Sequence, residues 1–309
     1  MPAVFIDGEA GTTGLRIRQR LTELPITVHG IDPERRKDPQ ARQAIMANVD
    51  VAILCLPDDA ARETVALADA LGPNAPKILD ASTAFRIDPH WAYGFPELNI
   101  GQADRVAYAA RVSNPGCYPQ GAIALLRPLV DAGLVPPALP LTINAVSGYS
   151  GGGRAMIEAH ERDHGPAFEL YGLGLEHKHV AEIVLYAGLT RRPIFVPSVG
   201  HFRQGMLVSI PLHLDQLNGA VTSADLHGAL AAHYQDCPHV RVRPAPEGGR
   251  IEPIPAFGPD VMELFVFANQ TRGQAVLVAR LDNLGKGASG AAVQNLLLML
   301  GLPEQELHA

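Results

Sequence analysis

Pro2-Ala3-Val4-Phe5-Ile6-Asp7, then Gly8-Glu9-Ala10-Gly11-Thr12-Thr13-Gly14, then Leu15-Arg16-Ile17-Arg18-Gln19-Arg20-Leu21 is an apolar run, a glycine turn and an amphipathic segment in succession. Strand, turn, helix is the order that a dinucleotide site requires. The glycines let the turn fold tightly and let backbone approach a pyrophosphate, whose charge then rests on the helix N-terminus. The spacing is GxxGxxG and not the usual GxGxxG, so Gly8, Gly11, Thr12, Thr13 and Gly14 by themselves also fit a plain structural turn. The next segments of the chain favour the nucleotide reading. Ile26 to Ile31 predicts a second strand, Val49 to Pro57 a buried parallel strand backed by a helix over Asp58 to Leu71, and Lys77 to Ser82 the next strand.

After the second strand the chain reads Asp32-Pro33-Glu34-Arg35-Arg36-Lys37, where such folds recognise the adenosine ribose. An acid there suits a free 2′-hydroxyl and an arginine a 2′-phosphate. Both types are present. Arg35 and Arg36 favour NADP over NAD, with a solvated charge run as the bland alternative.

Cys117 lies in Ser113-Asn114-Pro115-Gly116-Cys117-Tyr118-Pro119-Gln120-Gly121, a tight turn running into apolar Ala122 to Leu126. This puts a cysteine at the mouth of a helix. Pro119 suits the first turn, where its missing N–H costs nothing, and the free N–H groups and positive dipole end favour a thiolate. A thiolate is a nucleophile near neutral pH, although most free cysteines are simply small buried hydrophobes.

The middle of the chain changes character. Leu141 to Val146 predicts a strand leading into Ser147-Gly148-Tyr149-Ser150-Gly151-Gly152-Gly153-Arg154, a glycine-rich loop that offers backbone donors and a guanidinium to an anion, followed by a helix-like stretch from Ala155 to Asp163. In Glu176-His177-Lys178-His179, a His-x-His read on a strand would turn two imidazoles to one face. No third metal ligand stands at a fixed spacing, so a proton carrier suits the pair better than a metal. Strand-like runs at 194–199, 205–212, 262–267 and 275–281 predict an antiparallel sheet in an α+β second domain. An amphipathic final helix is expected over Ala291 to Leu300.

The 309 residues are 47% hydrophobic, enough for about two domains, and the formal net charge of -7 argues against nucleic acid or anionic membrane as partner. Three cysteines, Cys55, Cys117 and Cys237, are too few for a disulfide framework and fit a reducing compartment. With no signal-like N-terminus and no stretch of eighteen uncharged apolar residues, the expected location is the cytoplasm.

Four phrases, SNPGCYPQGA at 113–122, NAVSGYSGGGRA at 144–155, EHKHVAEI at 176–183 and LDNLGKGASGAAVQNLLLMLGLP at 281–303, closely resemble the N-acetyl-gamma-glutamyl-phosphate reductases of arginine biosynthesis, in their shorter variety. The resemblance implies an α/β fold: a Rossmann-type NADP-binding domain of residues 1–116 plus 284–309, to which the C-terminal helix returns, and an α+β catalytic and dimerisation domain of 117–283. It implies NADPH as hydride donor and a small acyl phosphate as substrate, and apolar strands in the second domain favour self-association, as a homodimer or homotetramer. Cys117 falls on the family's nucleophile, His177 and His179 on its His-x-His, and Ser147 and Arg154 in the loop that meets substrate. Asn283 and Gly287 fall near the nicotinamide, and Arg86 in a segment lining the substrate pocket. His201 has no settled role by resemblance. An aspartate-semialdehyde dehydrogenase, or a dinucleotide sensor without chemistry, is the alternative function.

Overall fold

The computed structural model of the chain describes residues 1–303, and the last six residues of the segment expected at 284–309 lie outside the described residues. The chain divides into two compact units. The first comprises Met1–Pro96, Ile100–Pro115 and the chain from Ala288. Its elements are β1 (Ala3–Asp7), α1 (Thr12–Leu21), β2 (Thr27–His29), α2 (Pro39–Met46), β3 (Val51–Leu54), α3 (Asp58–Asp69), β4 (Lys77–Asp80), β5 (Ala92–Tyr93), α4 (Gln102–Tyr108) and β6 (Arg111–Ser113). The six strands run in the order β2-β1-β3-β4-β6-β5 with every pairing parallel. Parallel sheets need cover on both faces, which is why β3 is buried at all four residues. The strand order reverses between β1 and β3, and the crevice at their carboxyl ends is where open α/β sheets bind ligands.

The second unit comprises Glu97–Asn99 and Gly116–Gly287. It holds α5 (Cys117–Asp131), β7 (Thr142–Gly148), α6 (Gly153–Arg162), β8 (Phe168–Leu170), α7 (His179–Tyr186), β9 (Ile194–Gly200), β10 (Met206–His213), α8 (Ser223–Tyr234), β11 (Val240–Arg243), β12 (Met262–Asn269) and β13 (Gln274–Leu281). The seven-stranded sheet, in the order β11-β12-β13-β10-β7-β9-β8, is mixed and not the expected antiparallel one. The β7–β9 and β11–β12 pairs are parallel: the chain returns to β9 through α6 and α7, and to β12 through the long connection of residues 244–261. α5 lies close on this sheet at Gly121, where a Cβ would come within 2.8 Å of the Val208 side chain. The His-x-His corrects the sequence reading: His179 opens α7 and His177 precedes it, so neither lies on a strand.

The final helix, α9 (Gly290–Leu300), belongs to the first unit. Its Val293, Leu296 and Leu297 join Ile17 and Leu21 of α1 and Val4, Ile6 and Ile53 of the sheet in one core. Phe5, Ala52, Leu54 and Ile78 face a second core that Met46 of α2 and Ala61 and Ala68 of α3 complete.

A buried ion pair fastens α2 to the end of β1. Arg42 donates through Nε and Nη2 to Asp7 Oδ2 at 2.8 and 2.6 Å, and Thr64 of α3 also meets both partners. Removing one partner of such a pair costs about 3–5 kcal/mol, because the other charge is left buried. Arg42→Met should lower the stability of the first unit by about that much in urea unfolding, and Asp7→Leu/Arg42→Met should recover most of it. Equal losses in the single and double variants would mean that the guanidinium matters for packing alone.

Candidate active site

The first unit supplies a cradle. Gly8 has φ +86°, and a Cβ there would run into the Cys55 carbonyl, so no other residue fits. The Gly11 N–H closes the turn onto Gly8 O at 3.0 Å, and a Cβ at Gly14 would stand 2.7 Å from that same oxygen. α1 then starts at Thr12 with no side chain capping it at Gly11. Its first-turn N–H groups and the positive end of its dipole suit a pyrophosphate.

Beside this turn lies a cavity of about 670 Å³, walled by Gly8 to Gly11 after β1, Ile31, Pro33, Arg36 and Lys37 after β2, and Cys55 to Pro57 after β3. Arg36 and Lys37 face it. Arg35 does not line it: its guanidinium is held by Asp38 at 2.9 Å, the carboxylate that also caps α2. The basic residues that line the cavity in the segment expected to meet the 2′-phosphate are Arg36 and Lys37, while Arg35 is paired with Asp38. Arg42, which the sequence reading did not single out, also lines the cavity. Burial, with Asp80 and Asp7 near it, pushes the Cys55 thiol up to about 12. Arg86, in the segment after β4, is buried and donates to Ala81 O at 3.1 Å.

The second unit holds the nucleophile candidate. Cys117 is the first residue of α5, with Gly116 as N-cap and no side-chain cap of the usual local kind. The buried Glu182 of α7 takes that part from a distance, its Oε2 accepting the Gly116 N–H at 3.0 Å. Gly287 presses on the other side, where a Cβ would lie 3.0 Å from Cys117 Cβ and 2.9 Å from Asp282 O. The turn bearing Gly287 is held by the buried pair of Lys286 Nζ with Glu97 Oε1 at 2.7 Å and by Asp282 Oδ1, which accepts the Leu284 and Gly285 N–H groups.

His177 and His179 come together as the sequence reading expected, with ring centroids 4.7 Å apart. The Tyr118 ring stands edge-on to both, and Tyr171 and Phe195 complete the wall around His177. Tyr171 OH donates to Tyr118 OH at 3.2 Å, which donates in turn to Ser198 O at 3.0 Å. Burial holds both phenols protonated, pushing Tyr171 up to about 12 and Tyr118 further. Burial, and then Lys178, pulls His177 below the usual imidazole value, so the ring is neutral at pH 7. The His179 N–H donates to His177 Nδ1 at 3.2 Å, so the ring proton sits on Nε2 and that nitrogen is a donor. Tyr118 and Glu182 lie inside the motif phrases, but nothing local in the sequence announces their contacts.

The 147–154 loop is fastened to the turn after β9: Gly148, Tyr149 and Ser150 N–H groups donate to the Gly205, Phe202 and Arg203 carbonyls at 2.9, 2.9 and 3.1 Å. Ser147 is buried and its hydroxyl is donated to Gly148 O, whereas Arg154 is exposed on the first turn of α6. Asn283, expected near the nicotinamide, braces this loop, donating to Ser150 Oγ at 3.0 Å and accepting from the Gly205 N–H at 2.9 Å. His201 pairs with His160, Nδ1 to Nδ1 at 2.9 Å, under the Tyr149 ring. Among the described residues no three His, Cys, Asp or Glu side chains gather as metal ligands, and no helix is long and apolar enough to cross a membrane.

Residues 19–106 match the semialdehyde dehydrogenase NAD-binding domain and residues 117–283 the semialdehyde dehydrogenase dimerisation domain. The chain is 50% identical to N-acetyl-gamma-glutamyl-phosphate reductase 2 of Nostoc, 98% of each chain being covered. It is 52% identical to N-acetyl-gamma-glutamyl-phosphate reductase 2 of Pseudomonas putida (97% of each) and to the reductase of Brucella ovis (97% and 99%). Among solved structures, aspartate semialdehyde dehydrogenase of Francisella tularensis superposes with a TM-score of 0.73 at 12% identity, covering 98% of this chain and 100% of that one. The Candida albicans enzyme, solved with NADP, gives 0.69 at 15%, covering 97% and 98%. These distant likenesses concern the fold.

Burial pushes the Cys237 thiol up as well, with Glu97 adding to it. Iodoacetamide at pH 7 should therefore modify Cys117 ahead of Cys55 and Cys237, read by peptide mass. Gly287→Ala should slow that modification by about tenfold or more by displacing Cys117. Equal labelling of all three thiols would remove Cys117 as the reactive one.

Proposed function

The chain belongs to the N-acetyl-gamma-glutamyl-phosphate reductase family, and from that premise we propose that it reduces N-acetyl-gamma-glutamyl phosphate with NADPH, in arginine biosynthesis, through a thioester on Cys117. The products are N-acetyl-glutamate 5-semialdehyde and phosphate. The observation that carries the thioester is a cysteine at the head of a buried helix, its turn held by Glu182 and two imidazoles beside its neighbour Tyr118.

In this reading the first unit binds the cofactor: the turn from Gly8 to Gly14, with Thr12 and Thr13, takes the pyrophosphate, and Arg36 with Lys37 the 2′-phosphate. The fit rests on the cavity that the turn from Gly8 to Gly11 walls, and on glycines at 8 and 14 that let this turn close on the chain's own backbone. When bound, NADPH supplies the hydride. The chain's own residues do the rest. The Cys117 thiolate attacks the acyl carbon, the carbon–oxygen bond to phosphate breaks, and phosphate leaves with the electron pair. Hydride addition to the thioester gives a thiohemiacetal oxyanion, which collapses to the aldehyde as the carbon–sulfur bond breaks and the thiolate returns. Backbone N–H groups of the first turn of α5 and His177 Nε2–H donate to the oxyanion, and a lost donor of this kind costs about 10²- to 10³-fold in kcat. His179 orients His177 through its N–H. Arg154 and Arg86 are the candidate cations for the leaving phosphate or the substrate's α-carboxylate. The match to a dimerisation domain supports a homodimer or homotetramer joined through the second unit, and three free cysteines suit the cytoplasm.

Run backwards, the enzyme should reduce NADP with N-acetyl-glutamate semialdehyde only when phosphate is present, and Cys117→Ser should abolish this while leaving NADPH affinity unchanged. Turnover with aspartate semialdehyde and none with the N-acetylated aldehyde would overturn the substrate, and activity surviving in Cys117→Ser the thioester.

The pH profile depends on His177. Protonation would place a proton on Nδ1 and expel the His179 N–H that orients the ring, and the depressed pKa puts that loss below 6.5. The acid limb of kcat should thus lie below 6.5, and Lys178→Gln, which removes the second cause of the shift, should move the limb upward. A limb that stays put in Lys178→Gln would take the proton away from His177.

A further inference from the structure

Gln120 is wholly buried on α5, and neither its Oε1 nor its Nε2 has a hydrogen-bond partner among the described residues. An amide buried without partners costs stability, and a helix position in an apolar core is easily filled by leucine or methionine. The position is not remote. Three residues beyond Cys117, Gln120 stands roughly 60° round the helix from it, with Cβ atoms about 5–6 Å apart. Side chains on a helix lean toward its N-terminus, so from this position Gln120 is directed back toward the turn that Cys117 begins. Tyr118, with the imidazoles, is on the opposite side of Cys117, roughly 100° the other way. Gly121 and the sheet lie between Cys117 and Tyr118 in this projection, so Gln120 forms the flank of the nucleophile that the reaction described above leaves without a role.

Both atoms being unpaired narrows the ligand. A phosphate or a carboxylate alone offers only acceptors and would set its charge against Oε1. A donor and an acceptor side by side satisfy both atoms, and the α-end of an N-acyl amino acid presents them: an amide N–H and a carboxylate on one carbon. Acylation also keeps that nitrogen neutral, whereas a free ammonium would have to be buried as a charge. In N-acetyl-gamma-glutamyl phosphate that end lies three carbons from the attacked acyl carbon, about 5 Å in an extended chain.

Resting on the reaction proposed above, we propose that Gln120 determines specificity by binding the α-amido carboxylate end of the substrate, Oε1 accepting its N–H and Nε2 donating to its carboxylate. Gln120→Met matches the side chain in size and removes both polar atoms. It should leave the Tm of the free protein unchanged or higher, since an unpaired buried amide is lost. In the phosphate-dependent oxidation, its kcat/KM should fall by about tenfold to a hundredfold with N-acetyl-glutamate semialdehyde and by clearly less with glutarate semialdehyde, which keeps the carboxylate but has no amide. Equal losses on the two aldehydes, no loss on either, or a marked fall in Tm would overturn the proposal. Gln120→Leu repeats the comparison should the methionine variant fail to fold.

A second arm needs no turnover. N-acetylglutamate should raise the Tm of the unmodified protein and raise that of Gln120→Met much less, while glutarate, which keeps only the contact to Nε2, should separate the two by clearly less. If no aldehyde is oxidised, the reaction falls and this arm still judges Gln120. If N-acetylglutamate protects both proteins equally, Gln120 does not bind it.

Discussion

The hydrogen bond from the Gly116 N–H to the buried Glu182 carboxylate is the constraint on which the second unit's chemistry depends. It fixes where α5 begins, and therefore that Cys117 is its first residue. A local cap, a serine or aspartate at position 116, would spend its side chain on the N–H of the second or third residue of the helix. Here the cap comes from α7, and it binds the N-cap residue's own N–H. No side chain of the helix's own first turns is used as a cap, and Pro119 has no N–H to satisfy. The same helix, α7, opens with His179, whose N–H fixes the His177 tautomer. One short element thus sets the nucleophile's position and the donor's protonation state together.

The electrostatics have their origin in the same arrangement. Each helix start carries roughly half a positive charge, so the beginnings of α5 and α7 together supply about one. The Glu182 carboxylate offsets that charge in the resting protein. What favours anionic species at Cys117 is then a set of oriented N–H groups rather than a net cation, and oriented dipoles can be aimed at charge that appears only during reaction. A neutral His177 belongs to the same design, since its Nε2–H can donate to an oxyanion without adding a buried charge.

Much of this was legible in the chain. The strand, glycine turn and helix at residues 3–21 fixed the first sheet's beginning, because a positive-φ glycine packed on the Cys55 carbonyl leaves a mark in sequence that no other residue can imitate. Cys117 at a helix start was legible from Gly116 and Pro119. Three features were not. Arg35 and Arg36 look alike in sequence, and only Asp38, doubling as the cap of α2, draws Arg35 away. The His-x-His reads equally as strand or helix start, since its short apolar continuation fits either period. The parallel β7–β9 pair depends on where a chain returns after a helix, which local pattern does not encode.

The residues that escaped notice are buried polar groups: Asp7 with Arg42, Lys286 with Glu97, Glu182, and Gln120. Sequence reasoning assigns buried positions to apolar residues, and an isolated glutamate or glutamine in an apolar stretch carries no period of its own. Such pairs add little net stability, because desolvation offsets most of their attraction, while half of a pair is strongly destabilising. They therefore act less as glue than as constraints with one acceptable geometry. Lys286 with Glu97 permits one course for the turn that brings Gly287 against Cys117, where an apolar contact would tolerate several. An apolar core holds each unit together, and the sparse buried charges decide where its reactive atoms stand.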